Sequence, residues 1–190
     1  RSEDKLAALL DEHGPERVAT VPVDLTRPET LAEAHAEAEA AFGPVDVLLN
    51  NAGRSQRARA LETTMEEVRA LMELNFMAPV ALTRLAAPGM ITRGRGVIVI
   101  VGSLAGYIAT PLRSTYNASK FAVRGWFDAL RAELHDTGVE VCVVIPGYVQ
   151  TNIARAAVAG QGRTHGVADA GVEQGISAAR CAAKIVTAIE

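Results

Sequence analysis

A tyrosine and a lysine stand four residues apart at Tyr116 and Lys120, within the stretch Ser114-Thr-Tyr-Asn-Ala-Ser-Lys120. Four residues is about one helical turn, so in a helix the two side chains share a face. A free phenol ionises near pH ~10, too high for proton exchange at neutral pH. A fixed cation beside it favours the phenolate and lowers that value. The pair is therefore a candidate acid/base centre, and it needs support from elsewhere in the chain. Four segments supply it: Asp24-Leu25-Thr26, Asn50-Asn51-Ala52-Gly53, Gly102-Ser103 and Pro146-Gly147 each follow an apolar run. Taken singly, Asp24 reads as a turn residue, Gly53 as a loop glycine and Ser103 as a helix cap. Four in order, with Tyr116 and Lys120 after the third, point to one site.

The elements that must position these residues alternate along the chain. Periodicity and punctuation predict helices over 2–13, 28–42, 64–90, 114–136 and 177–190, and strands over 17–25, 45–50, 96–101 and 139–145. Pro28 opens the second helix and Gly43-Pro44 closes it. The Val/Ile-rich runs between helices argue for a parallel sheet covered on both faces, an α/β fold. The 190 residues, 49% of them apolar and 4% aromatic, suit one closely packed domain. No repeat or linker divides them. A formal net charge of −3 gives no reason to expect nucleic acid as a partner. Two cysteines, Cys142 and Cys181, support neither a disulfide framework nor a zinc site, and a reducing, cytoplasmic setting is the simpler expectation. Cys142 alternates within a strand and reads as an inert core residue. The histidines, at 13, 35, 135 and 165, show no metal-ligand spacing. No apolar run of ~20 residues suggests a membrane span. The chain opens without Met and stops inside a helical pattern, so it is expected to be incomplete at both ends.

In open parallel sheets, ligands bind beyond the carboxyl ends of the strands, where these four segments fall. The set resembles the short-chain dehydrogenases/reductases. Asn50-Asn51-Ala52-Gly53 is similar to that family's NNAG motif, and Asn75 to its active-site asparagine. Ser103, thirteen residues before Tyr116, resembles its catalytic serine, and Tyr116 with Lys120 its YxxxK pair. Pro146-Gly147, with Thr151 four residues on, resembles the segment that meets the nicotinamide. The likeness implies a Rossmann-like, doubly wound parallel sheet in a single NAD(P)-binding domain over 1–190, with 148–175 as the substrate loop. It implies catalysis by Asn75, Ser103, Tyr116 and Lys120. Tyr116 would exchange a proton with a carbonyl or secondary alcohol while the cofactor carries the hydride. Ser103 would donate a hydrogen bond to the substrate oxygen, and Lys120 would reach the nicotinamide ribose. The cofactor residues implied are Arg1, Asp24, Leu25, Asn51, Ala52, Gly53, Tyr116, Lys120, Pro146, Gly147, Val149 and Thr151.

Pro79, four residues after Asn75, has no N–H to bond the carbonyl of residue 75. A kink is expected there; the family implies a proton-relaying water at that carbonyl, and simple bending around the sheet is the alternative. The family's glycine-rich phosphate turn is absent, and Gly160-Gln-Gly162-Arg-Thr-His-Gly166 reads as loop. The strands match the family's third to sixth, so residues 1–190 alone are not expected to fold stably. Arg1 lies where that family's second strand ends, which favours NADP(H) over NAD(H), and Asp24 would meet the adenine edge.

Substrate contacts are expected from Ser103, Leu104, Tyr116 and Tyr148, with Ala105, Tyr107 and Ile108 nearby. A small apolar helix from Ile153, Ala156, Ala157 and Val158 would cover the pocket, moving on Gly160, Gly162 and Gly166. His165 and Arg163 read as solvent-facing. The expected substrate is a small hydrophobic carbonyl or alcohol. Trp126, Phe127, Leu130 and Leu134 form a helical stripe, read either as packing on the sheet or as part of a homodimer or homotetramer interface. Two other readings are a non-catalytic NAD(P)-binding sensor or interaction protein, and a nucleotide-sugar epimerase. The complete Asn75–Ser103–Tyr116–Lys120 set weighs against the first, and the NNAG and Pro-Gly segments against the second.

Overall fold

The computed structural model describes residues 3–190. Arg1 and Ser2, and with Arg1 the residue expected at the adenosine ribose, lie outside the described residues. Helix α1, Glu3–His13, carries no buried residue. Helix α2, Leu31–Phe42, follows a 3-10 turn that starts at Pro28. Strand β1, Val47–Asn50, leads to the loop that carries Gly53. Helices α3, Met65–Met72, and α4, Ala78–Arg93, are joined by a π-helical turn, Glu73–Met77. Then come β2, Gly96–Val101, α5, Ser114–Glu133, and β3, Val139–Val144. Short β4, Val149–Gln150, α6, Ala170–Glu173, β5, Ile176–Ser177, and α7, Ala178–Ile189, complete the chain.

The sheet is parallel, in the order β1-β2-β3, with Asn50 beside Ile100 and Val101 beside Val144. That register brings the carboxyl ends of the three strands to one edge. Ile98 and Ile100 of β2 point to one face, where Met90 of α4 and Val123 and Phe127 of α5 pack on them. All five are at most 2% exposed, so this is the firm part of the core. Trp126 and Leu130 lie half-buried against it and Leu134 is buried, so the α5 stripe packs on the sheet.

Local signals explain where α3 begins. The Thr64 hydroxyl accepts from Glu67 N–H at 3.2 Å and the Glu67 carboxylate accepts from Thr64 N–H at 2.8 Å. Such a reciprocal cap contributes about 1 kcal/mol. The distortion expected from Pro79 is the π-helical turn, with Ala78 N–H bonded to the carbonyl of Glu73 and Asn75 inside it. The 65–93 helix is long and apolar enough, at mean hydropathy 1.2, to cross a membrane by length and composition. Of its apolar residues, Ala78, Ala86, Ala87 and Met90 are buried in the protein, whereas Met65, Met77 and Ile91 are exposed.

Two expected elements are corrected. Residues 17–25 form no strand, because no described strand lies beside them and an extended segment without a ladder partner is not one. The 153–158 stretch is not a helix. It makes two turn bonds, Ala156 N–H to Asn152 and Ala157 N–H to Ala154, after which Val158 pairs with Gln56 and Thr164. Pairing with those neighbours takes the backbone groups that a helix would need.

Candidate active site

A cleft of about 490 Å³ opens at the carboxyl ends of β1, β2 and β3. Ser103, Tyr116 and Lys120 all line it, together with Asn51, Gly53 and Gly147. The tyrosine and lysine of the opening argument therefore share one wall. Tyr116 and Lys120 are each 6% exposed. Lys120 Nζ donates to the Val101 carbonyl at 2.8 Å, which anchors the lysine to the end of β2. Burial disfavours the ammonium and pushes its pKa from 10.5 down to about 8. At neutral pH the group is still mainly a cation, held in a poorly solvated place. Gly106 lets the Ser103 turn approach α5: a Cβ there would stand 2.7 Å from the Lys120 carbonyl oxygen. Ser103 caps that turn, its Oγ accepting from Ala105 N–H at 3.1 Å.

Asn75 sits behind this wall and is not among the cleft-lining residues. It is 1% exposed, and its amide exchanges hydrogen bonds with the Arg54 backbone, accepting from N–H and donating to C=O, both at 2.9 Å. The same Nδ2 donates to Ser119 Oγ at 3.0 Å, and Ser119 in turn donates to the Tyr116 carbonyl at 2.8 Å. Asn75 thus ties the Gly53-Arg54 loop to the helix that carries Tyr116. Asn50, at the start of NNAG, is also buried, donating to Thr83 at 3.4 Å.

The other sequence-picked residues divide cleanly. Leu104, Pro146, Tyr148, Val149 and Thr151 line the cleft, as do Ala105, Ile108 and Ile153. Tyr107 does not; its ring lies under the Arg124 guanidinium, 3.7 Å from the charge centre. Ala52 is exposed in the loop between two lining residues. Asp24 and Leu25 are half-buried outside the cleft, and Asp24 Oδ1 accepts from Thr26 N–H and hydroxyl in a local turn.

Residues 1–162 match the family model for short chain dehydrogenases. The chain belongs to the short-chain dehydrogenase/reductase family. It is 43% identical over 169 residues to the mouse dehydrogenase/reductase SDR family member 7B, covering 89% of this chain and 52% of that protein. To mouse SDR family member 7 it is 42% identical over 141 residues, 74% of this chain and 42% of that protein. The chain spans about half the length of the curated relatives it matches. A solved short-chain dehydrogenase from Streptomyces avermitilis superposes over 100% of this chain and 72% of its own, with TM-score 0.87 and 33% identity. A gluconate 5-dehydrogenase from Burkholderia cenocepacia, solved with NADP and tartrate, gives TM-score 0.74 and 31% identity over 82% of this chain and 62% of its own.

In this member of the family, three features in or behind the cleft wall had no sequence signal strong enough to find them. Gln56 is wholly buried, and its Oε1 accepts from Thr115 N–H at 2.7 Å and Tyr116 N–H at 3.2 Å. Arg113, the residue preceding α5, supplies no side-chain cap, so Gln56 caps the helix from 57 residues or more away in sequence. Arg57 and Arg113 both line the cleft and both donate to Asp169. Cys181 and Ile185 of α7 close the apolar side. Nothing local marks a glutamine as a cap at long range or an arginine as a partner of a distant aspartate.

Proposed function

We propose that this chain forms the catalytic part of an NAD(P)(H)-dependent oxidoreductase that interconverts a carbonyl and a secondary alcohol. The observation that carries the reading is the shared wall: Ser103, Tyr116 and the buried, still largely cationic Lys120 line one cleft at the strand ends. Tyr116 gives its phenolic proton to the carbonyl oxygen during reduction and takes one back during oxidation. Ser103 donates to the same oxygen as charge grows on it. Lys120 keeps positive charge behind the phenol and stabilises its ionised form. Asn75 acts as a positioning residue, through the Arg54 backbone and Ser119.

The residues present fit the nicotinamide end of the cofactor. Asn51, Gly53, Pro146, Gly147 and Thr151 border the same cleft, and the small ones leave room for a flat ring. When bound, the dinucleotide supplies or accepts the hydride. Preference for NADP(H) is part of the reading; two similar solved proteins, the Burkholderia enzyme and a metagenomic short-chain oxidoreductase, are NADP complexes. Leu104, Ile108, Ile153 and Ile185 on the cleft suit a largely hydrophobic substrate body. A homodimer or homotetramer through the α4 and α5 helices, in a reducing cytoplasm where Cys142 and Cys181 stay unpaired, belongs to the same proposal.

The test is cofactor consumption by the purified full-length protein over a panel of ketones and aldehydes, with NADPH and with NADH. NADPH-dependent reduction of at least one carbonyl is expected. Activity with NADH alone would reverse the cofactor preference, and bound cofactor with no turnover of any carbonyl would overturn the oxidoreductase reading.

A further inference from the structure

The cleft wall carries a charge imbalance that the proton chemistry does not use. Arg54, Arg57, Arg113 and Lys120 line it, and no Asp or Glu does. Lys120 is anchored on the Val101 carbonyl, and Arg54 Nη2 reaches the Ala156 carbonyl at 3.5 Å. Arg57 and Arg113 remain. The Nη2 of each donates to the same oxygen, Asp169 Oδ2, with the Arg113 bond at 3.0 Å. The other oxygen, Oδ1, is occupied by Gly171 N–H at 3.0 Å. Two guanidiniums therefore share one carboxylate, and one positive charge is left over.

Neither guanidinium has another side-chain bond to the described residues, so most of their N–H groups lack a protein partner. Their side chains are 25% and 18% exposed, and none of their nitrogens is both buried and unpartnered, so the remaining N–H groups are open to water and to a ligand that displaces it. Burial, and then the charge of Arg113, push the Arg57 pKa downward, as expected for crowded cations short of an anion. A planar guanidinium with free N–H groups in a half-buried cleft is a carboxylate binder by its geometry. The pair also sits beside the proposed chemistry. Arg113 directly precedes α5 and stands three residues before Tyr116, while the Arg57 N–H is bonded to the Val158 carbonyl at 2.7 Å. Asp169 belongs to the 148–175 segment, which the oxidoreductase reading assigns to the substrate.

We propose that the substrate is a ketone or secondary alcohol bearing a carboxylate, and that Arg57 and Arg113 bind that carboxylate in competition with Asp169. The inference rests on the oxidoreductase reading for the reacting end of the substrate. A single leftover charge suits a carboxylate, which carries one.

The probes are meta- and para-acetylbenzoate and their methyl esters, tested on the full-length protein for binding by calorimetry with NADP⁺ present and for turnover with NADPH. The acid of at least one pair is expected to exceed its ester by about tenfold or more in affinity and in kcat/KM. Arg113→Met should lower that acid-to-ester ratio by about tenfold, and Asp169→Asn, which frees both guanidiniums, should raise it. A purely structural clasp would leave the ratio unchanged in both variants. If Arg113→Met does not fold, Arg57→Met gives the same reading. Esters bound and reduced as well as acids would overturn the inference and leave the oxidoreductase reading intact. Acids bound selectively but never reduced would uphold the anion site, and the oxidoreductase reading would fall only if no carbonyl of the wider panel were reduced. No binding of either acid would overturn the inference, as would an Arg113→Met variant that weakens NADPH binding with no change in the ratio, since that assigns the arginines to a cofactor phosphate.

Discussion

At the inner wall of the cleft, Tyr116 and Lys120 are each 6% exposed and hang from a helix packed on β2 and β3. At the outer rim, Tyr148 is 57% exposed, and the 148–175 segment meets the wall through Asp169 and through Val158, whose N–H donates to the Ser55 carbonyl and whose carbonyl accepts from Arg57 N–H. The inner wall is fixed by buried backbone: the Lys120 ammonium on a strand carbonyl, Gln56 on two helix N–H groups, Asn75 on both the N–H and the C=O of Arg54. The rim is fixed by the Asp169 charge cluster, by the backbone bonds of Val158 to Ser55 and Arg57, and by two short strands, β4 and β5. Bonds to buried groups such as Lys120 and Gln56 are costly to leave unmade, whereas exposed rim contacts such as that of Gln150 with the Glu173 carbonyl are exchanged for water at little cost. A rigid acid/base wall facing an adaptable rim lets one chemistry serve whichever substrate the rim admits.

The contrast can be broken or sharpened by substitution. Apart from the loss of the Tyr116 hydroxyl itself, the largest effect is expected from Lys120→Met, which keeps the volume and removes the cation: kcat/KM should fall about 10²–10³-fold, with substrate affinity much less affected. Next comes the pH dependence of stability. A lysine whose folded pKa lies below its unfolded value binds fewer protons when folded, so its contribution rises with pH. Between about 8 and 10.5, Lys120 should add on the order of 3 kcal/mol as the cost of burying its charge disappears. Chemical denaturation across that interval should show the rise in the parent protein and its loss in Lys120→Met. Smaller again is Gln56→Leu, which strands the Thr115 and Tyr116 N–H groups; roughly 2 kcal/mol of stability should be lost, with slower turnover. At the rim, Gln150→Ala removes an exposed bond to the Glu173 carbonyl and should shift stability by no more than about 0.5 kcal/mol. A rim change as costly as Gln56→Leu would erase the distinction between the two regions.

The inner wall was legible in the sequence because its chemistry is local. Tyr116 and Lys120 are one turn apart, Ser103 ends a strand, and NNAG and Pro-Gly end two others. The short-chain dehydrogenase/reductase assignment and the parallel sheet followed from that order. A break in the helix was legible from Pro79, a residue that cannot donate; that it takes the form of a π-helical turn was not. At the rim, Tyr148, Val149, Thr151 and Ile153 were legible, but the Arg57–Arg113–Asp169 cluster was not, because its members lie 56 or more residues apart in their pairings and a lone arginine reads as solvated surface. The apolar pattern at 153–158 suggested a helix, but Val158 pairs with Gln56 and Thr164 instead. RVATVPVDL has a strand's composition, yet β-propensity yields a strand only where a neighbour completes the ladder.

The proton-exchange role of Tyr116 is tested most directly by comparing the parent protein with Tyr116→Phe on the carbonyl that the parent reduces fastest with NADPH. The phenylalanine keeps the ring and removes only the hydroxyl, so kcat/KM should fall about 10²–10⁴-fold while NADPH still binds. Equal rates for the two proteins would contradict the role assigned to Tyr116 and Lys120.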